Sequence, residues 1–248
     1  MSTLADSPYQ RTAAALSAWQ RNVRGLMQWA HPSWLAAALS IDEQAAALLV
    51  RELGRLDETD ARANACSQAL LRSIGASLPT LDALAQPGAA RLDAMLPASG
   101  LQVLRLRALR FRRGEIRRIV DKRTRAQVAQ WAGMPMERLG GDLANERTAA
   151  PDIAQMAARV PIPPVAMLAG EALALEGYAL LKRDLRSTRS PCPLLRMALP
   201  RHGASKHTGS TARSHWVTAI PADVDQGGTA RLFTQLPHLL PEWAWLFG

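Results

Sequence analysis

The sequence predicts a mainly α-helical protein, an irregular multi-helix domain with a small β-hairpin near its C-terminus. Three observations carry this. Alanine and leucine supply most of a 48% hydrophobic content while aromatic residues make up only 5%, and Ala and Leu lose little on entering a helix whereas strands favour β-branched and aromatic residues. Apolar residues recur at helical spacing along most of the chain. His215 to Ile220 is the only stretch rich in β-branched and aromatic residues. The 248 residues are ample to bury a core. No linker insists on two domains, so 1–248 is read as a single domain that could subdivide into a helical core, 1–186, and a C-terminal segment, 187–248.

Ser7-Pro8 places a capping hydroxyl before a proline at the first helical position, and Ala13, Leu16, Trp19, Val23, Leu26 and Ala30 follow until His31-Pro32 ends the helix. Ser40-Ile41-Asp42-Glu43 fits a capping box ahead of an Ala/Leu run that stops at Gly54. A third helix is expected from Asp60 to Ile74. Pro79, Pro87 and Pro97 then break the chain into single turns at Leu81 to Leu84 and Leu92 to Leu96. From Leu101 to Trp131 apolar residues share roughly one face, predicting a helix of about 45 Å if Gly114 does not break it. Short helices follow at Met136 to Leu139 and Asp152 to Val160, then a long apolar one from Pro164 to Leu185 with Ala172, Leu175, Ala179 and Leu180 in the core. Leu194 to Leu199 and His215 to Ile220 read as the two strands of the hairpin, joined by a polar, mobile tip over 201–214. Thr229 to Leu236 is a short helix before the aromatic ending.

Several function classes are set aside by the residues. Cys66 and Cys192 cannot build a disulfide scaffold, which suits a reducing, cytoplasmic setting. Cys66 reads as core and Cys192, between two prolines, could stand exposed. The most apolar stretch, Val165 to Leu181, contains Glu171 and Glu176, so no membrane span is expected. His202, His207 and His215 lack local Cys, Asp or Glu to complete a metal site. In Gly203 to Ser210 the lysine precedes the second glycine, which rejects a phosphate loop. Acidic residues are scattered singly, mostly on polar helix faces, and no nucleophile motif occurs. No cofactor is implied, and an interaction protein fits better than an enzyme.

The formal charge of +9 is concentrated in one place. Between Arg105 and Arg125 ten basic residues face only Glu115 and Asp121, a net +8. The helical reading puts most of these arginines opposite the apolar stripe, in water or on an acidic partner, and nominates Arg107, Arg110, Arg112, Arg113, Arg117, Arg118, Lys122 and Arg125 as a binding face. Trp243, Trp245 and Phe247 either close the core or act as docking aromatics. An alternative reading makes residues 124–139 a DNA-binding helix-turn-helix, because Ala129, Gly133 and Leu139 have its spacing. Against it, the second helix is short and offers only Glu137 and Arg138 to bases. Nucleic acid is a partner only under that alternative.

The Leu104 to Trp131 helix, the leucine-rich Ala94 to Leu101 segment before it, the run from Phe111 to Asp121 and the Pro241-Glu242-Trp243 ending resemble the SctK family of type III secretion proteins, in particular its Hrp-type members. The resemblance implies a non-enzymatic cytoplasmic adaptor of the sorting platform, held at the inner membrane through protein contacts. Its expected partners are the cytosolic domain of the inner-membrane ring protein, the cytosolic ring component and the ATPase stator. On this reading, neutralising Arg112, Arg113, Arg117 and Arg118 should remove partners and secretion with the fold intact.

Overall fold

Helices supply the regular structure of the described residues, and none of these residues lies in a strand. The computed structural model describes residues 7–56, 60–76, 78–139, 151, 153–157, 160, 162–201, 215–221 and 223–248. The chain divides into two compact units. One comprises Met1–Gly100, Ser190–His202 and Phe233–Gly248, the other Leu101–Arg189 and Gly203–Leu232.

The first unit is organised by the Pro8–Arg24 helix, which begins at a proline as expected and buries Ala15, Ala18, Trp19 and Val23. Short helices Leu26–Trp29 and Pro32–Leu39 follow, then Glu43–Leu53 and Ala61–Ser73. Asp42 caps the fourth of these by accepting from Ala45 N, and Asp60 caps the fifth by accepting from Arg62 and Ala63 N. Asn22 donates to the carbonyls of Asp93 (2.8 Å) and Met95 (2.6 Å) and so ties the first helix to the 3₁₀ turn Ala89–Ala94. Asp93 in turn accepts from the amides of Leu194 (3.2 Å) and Leu195 (2.7 Å), at the start of the Pro193–Arg196 helix. Arg91 is buried with its guanidinium on the carbonyls of Leu84, Ala85 and Leu246. Phe247 stacks on Phe233 with ring centroids 5.9 Å apart.

The second unit contains Leu101 to Phe111 of the Pro97–Phe111 helix, then Arg113–Ile116, Lys122–Ala132, Ile153–Ala157 and Gly170–Asp184. Leu104 packs so close to Gly177 that a Cβ there would fall on the Leu104 carbonyl oxygen. A hydrophobic cluster joins Phe111, Ile153, Ile162, Leu180, Trp216, Val217 and Ile220.

The structure corrects several expectations. The hairpin is absent from the described residues: Pro193–Arg196 is a helical turn and His215–Ala219 a 3₁₀ turn. Trp216 and Val217 are buried side chains of the cluster, so their β-type composition reflects core filling, which a short apolar run cannot distinguish from strand pairing. The tip over 201–214 lies outside the described residues apart from Arg201. The long helix breaks at Arg112 and again between Arg117 and Asp121, where Asp121 starts the next helix by accepting from Thr124 N (2.7 Å). Ser40 belongs to the preceding helix, as its left-handed C-cap, leaving Asp42 to cap the next. Cys192 is fully buried and Cys66 only partly so, the reverse of what their neighbours suggested. In Gly170–Asp184 the buried face is Leu173, Ala174, Glu176, Gly177, Leu180 and Leu181, with Ala172, Leu175 and Ala179 half-buried.

Candidate interaction surfaces

Of the eight basic residues nominated for a binding face, Arg107, Arg110, Arg112 and Arg113 are buried. The expectation that they face water is overturned by the environment of their helix. Val103, Leu104, Leu106, Ala108, Leu109 and Phe111 are all buried, and from Leu106 to Phe111 no solvent face remains.

Buried guanidinium groups require partners, and around Arg107, Arg112 and Arg113 carboxylates provide them. Arg112 grips Glu176 through two parallel hydrogen bonds, Nε to Oε1 at 2.6 Å and Nη2 to Oε2 at 2.8 Å. It also donates to Glu115 (2.8 Å) and the Pro163 carbonyl (3.0 Å), and lies 5.5 Å from the Trp216 ring centroid. Glu115 closes the group by accepting from Val165 N at 2.6 Å. Arg107 pairs with Asp184 at 2.7 Å and Asp225 at 2.8 Å, and its Nε donates to Thr229. Asp225 also meets Arg113 (3.3 Å) and Arg231 (3.0 Å). Burial works against the Arg112 charge, but Glu176 and Glu115 hold its pKa above the ordinary value. Burial pushes the Glu176 carboxyl up even with Arg112 beside it. For Asp184 burial also pushes upward, yet Arg107, Thr229 and Arg183 outweigh it and hold that carboxyl below its usual range. These arginines act as core struts. Neutralising Arg112 or Arg113 would therefore disturb folding, which removes them from any test meant to leave the fold intact.

What remains of the basic block is a turn. Arg117, Arg118, Lys122 and Arg123 are exposed around Val120, which is 90% exposed, between the Arg113–Ile116 and Lys122–Ala132 helices. Arg125 is half-buried, 3.8 Å from Glu137. An exposed aliphatic side chain on a turn that carries four exposed cations is a compact docking element: the cations supply steering and the apolar side chain supplies contact area.

The nominated aromatics separate. Phe247 belongs to the core of the first unit, whereas Trp243 is half-buried and Trp245 is 38% exposed. The two tryptophans, 6.2 Å apart between centroids, line a cleft of about 480 Å³ with Leu96, Ala18, Arg21 and Glu242. In the 124–139 segment, Gly133 is left-handed (φ 65°) and residues 136–139 are helical. Val128, Trp131, Met134, Met136 and Leu139 are buried, so this turn packs into its unit, and Glu137 of the short second helix is turned toward Arg125. His202 and His207 lie outside the described residues. Among the described residues no group of three His, Cys, Asp or Glu could hold a metal ion, and no single helix is long and apolar enough to cross a membrane.

A family described as Bacterial type III secretion protein (HrpB4) matches residues 6–242. The chain belongs to the HrpB4 family of type III secretion proteins. The match runs through both units and covers the arginine block and the Pro241-Glu242 ending that carried the resemblance to Hrp-type secretion proteins. No curated protein and no solved structure matches the chain.

Sequence reasoning missed the carboxylates Glu115, Glu176, Asp184 and Asp225, because single acidic residues far apart in sequence carry no motif. A signal was nevertheless present. Apolar residues on every side of the helix around Arg107 and Arg110 mark it as interior, and interior arginines demand partners.

Proposed function

We propose that this HrpB4-family protein is a non-enzymatic cytoplasmic adaptor of the type III secretion apparatus, linking the cytosolic domain of the inner-membrane ring protein to the cytosolic sorting platform. The observation that carries the reading is the exposed basic turn around Val120, set on a unit in which carboxylates pair with the buried Arg107, Arg112 and Arg113. With Arg107, Arg112 and Arg113 occupied in the core, positive charge is presented locally by Arg117, Arg118, Lys122 and Arg123. Complementary charge of this kind fixes orientation and speeds association while allowing exchange, which suits a joint between a membrane-held ring and cytosolic components. The cleft at Trp243 and Trp245 offers a further contact surface in the other unit.

The test is the double variant Arg117→Glu and Arg118→Glu in native cells. Both side chains are exposed, so circular dichroism and thermal unfolding should match the parent. Secretion should fall, and affinity purification after nuclease treatment should lose the ring protein, the cytosolic ring component or the ATPase stator. Normal secretion with an unchanged set of partners would refute the adaptor surface assigned here.

A further inference from the structure

In the first unit, the Pro32–Leu39 helix, the end of the Ala61–Ser73 helix and the segment 190–201 form a cleft of about 430 Å³. Its lining includes Trp34, Ala37, Ala38, Ile74, Arg196 and Arg201, and no Asp or Glu. The Arg196 guanidinium lies 5.3 Å and that of Arg201 6.0 Å from the Trp34 ring centroid. Two cations thus share one indole, an arrangement that concentrates positive potential at one point of the surface.

The frame beneath these cations is fixed. Trp34 Nε1 donates to the Leu199 carbonyl at 2.8 Å, and Arg196 donates to the carbonyls of Leu199 (3.0 Å) and Arg201 (2.8 Å). The Arg201 amide donates to Ser33 Oγ at 2.9 Å. Arg201 itself is exposed and forms no ion pair among the described residues. The chain that follows, residues 202–214, contains no Asp or Glu and so has no carboxylate to offer.

We propose that this cleft binds an acidic segment of a partner protein, its carboxylate held by Arg201 beside Arg196 and a neighbouring apolar side chain seated on Ala37, Ala38 and Ile74. Guanidinium groups suit carboxylates because their planar donors can engage both oxygens. The small apolar walls offer a seat for an aliphatic side chain. A nucleic acid is a poorer fit, since both guanidinium groups already lie over the Trp34 ring on which a base would stack. The proposal rests on the adaptor reading only in taking the occupant to be a protein. It concerns a different unit from the basic turn, so the two can fail separately.

The experiment uses the purified full chain and a fluorescein-labelled twelve-residue peptide of Asp, Glu and Leu, with an Asn, Gln and Leu counterpart. Fluorescence anisotropy should show binding of the acidic peptide alone. Arg201→Glu and the cleft-filling Ala38→Trp, both at exposed positions, should each weaken it about tenfold or more at unchanged melting temperature. Arg118→Glu should leave the affinity as it was. No binding of the acidic peptide, or binding lost in Arg118→Glu but kept in Arg201→Glu, overturns the cleft. Displacement of the peptide by inorganic phosphate or single-stranded DNA at matching concentration overturns it as well, by making the cleft a phosphate site. If Arg201→Glu binds normally while Arg117→Glu with Arg118→Glu still abolishes secretion, the cleft fails and the adaptor stands.

Discussion

Residue by residue, this protein places charge where charge is costly, and two buried carboxylates show the consequences. Glu176 holds Arg112 through two hydrogen bonds in the interior of the second unit. Removing Glu176 leaves the buried Arg112 charge to Glu115 alone, so Glu176→Gln should destabilise the unit by about 3 kcal/mol, the lower end of the cost of breaking a buried pair. Urea unfolding checks this, and a loss below about 1 kcal/mol would contradict the strut role. Asp93 in the first unit behaves differently, having the amides of Leu194 and Leu195 as its ligands in place of a cation. Burial raises its carboxyl from 3.8 to about 7, with those two amides pulling the other way. The folded protein therefore keeps a proton that the unfolded chain releases near pH 4. The associated stability is fully present below that pH and is lost as pH rises through about 7, by up to roughly 1.4 kcal/mol per pH unit. Asp93→Asn should flatten the dependence of the urea midpoint on pH between about 4 and 7, and an equally steep profile in the variant would remove Asp93 as its source.

At the scale of single elements, the decisive feature is how closely Leu104 of the Pro97–Phe111 helix approaches the Gly170–Asp184 helix. Gly177 allows this, since any Cβ would overlap the Leu104 carbonyl oxygen. The approach sets Arg112 within reach of Glu176 and Arg107 within reach of Asp184. Gly177→Ala adds only a methyl group and improves intrinsic helix propensity by about 1 kcal/mol, yet it should destabilise the protein, because the backbones must part and the ion pairs stretch. A variant as stable as the parent in thermal melts would show that the contact yields freely. The block from Arg105 to Arg125 illustrates the same dependence on neighbours. Its helices break at Arg112 and before Asp121, and Arg107, Arg110, Arg112 and Arg113 lie inside while Arg117, Arg118, Lys122 and Arg123 lie outside. Helical periodicity alone reads the block as one solvent-facing stripe, since it records spacing and is silent about what covers each side.

For the whole molecule, both units are discontinuous in sequence. The first needs Ser190–His202 and Phe233–Gly248, and the second needs Gly203–Leu232, which brings Trp216, Asp225 and Thr229. A fragment ending at residue 186 deprives Arg107 and Arg113 of Asp225 and leaves Asp93 without the amides it accepts from. Such a fragment should lack a cooperative unfolding transition and aggregate, as judged by circular dichroism melts and size-exclusion chromatography. A soluble, cooperatively folding 1–186 fragment would show that the helical part is independent of the C-terminal third.

The sequence by itself determined the α-helical class, several helix starts and the link to type III secretion. Capping residues such as Asp60 and prolines such as Pro8 act through neighbours a few positions away, so their effects are legible locally. The secretion family was legible in the pattern of the whole chain. Tertiary structure alone decided which arginines are struts and which form a surface, that Cys192 is buried, and that Trp216 and Val217 fill a core instead of pairing as a strand. Those outcomes depend on contacts between residues tens to more than a hundred positions apart, such as Arg107 with Thr229. The free energy of a charge or an aromatic ring is set by what surrounds it in space, and that surrounding exists only once the chain has folded.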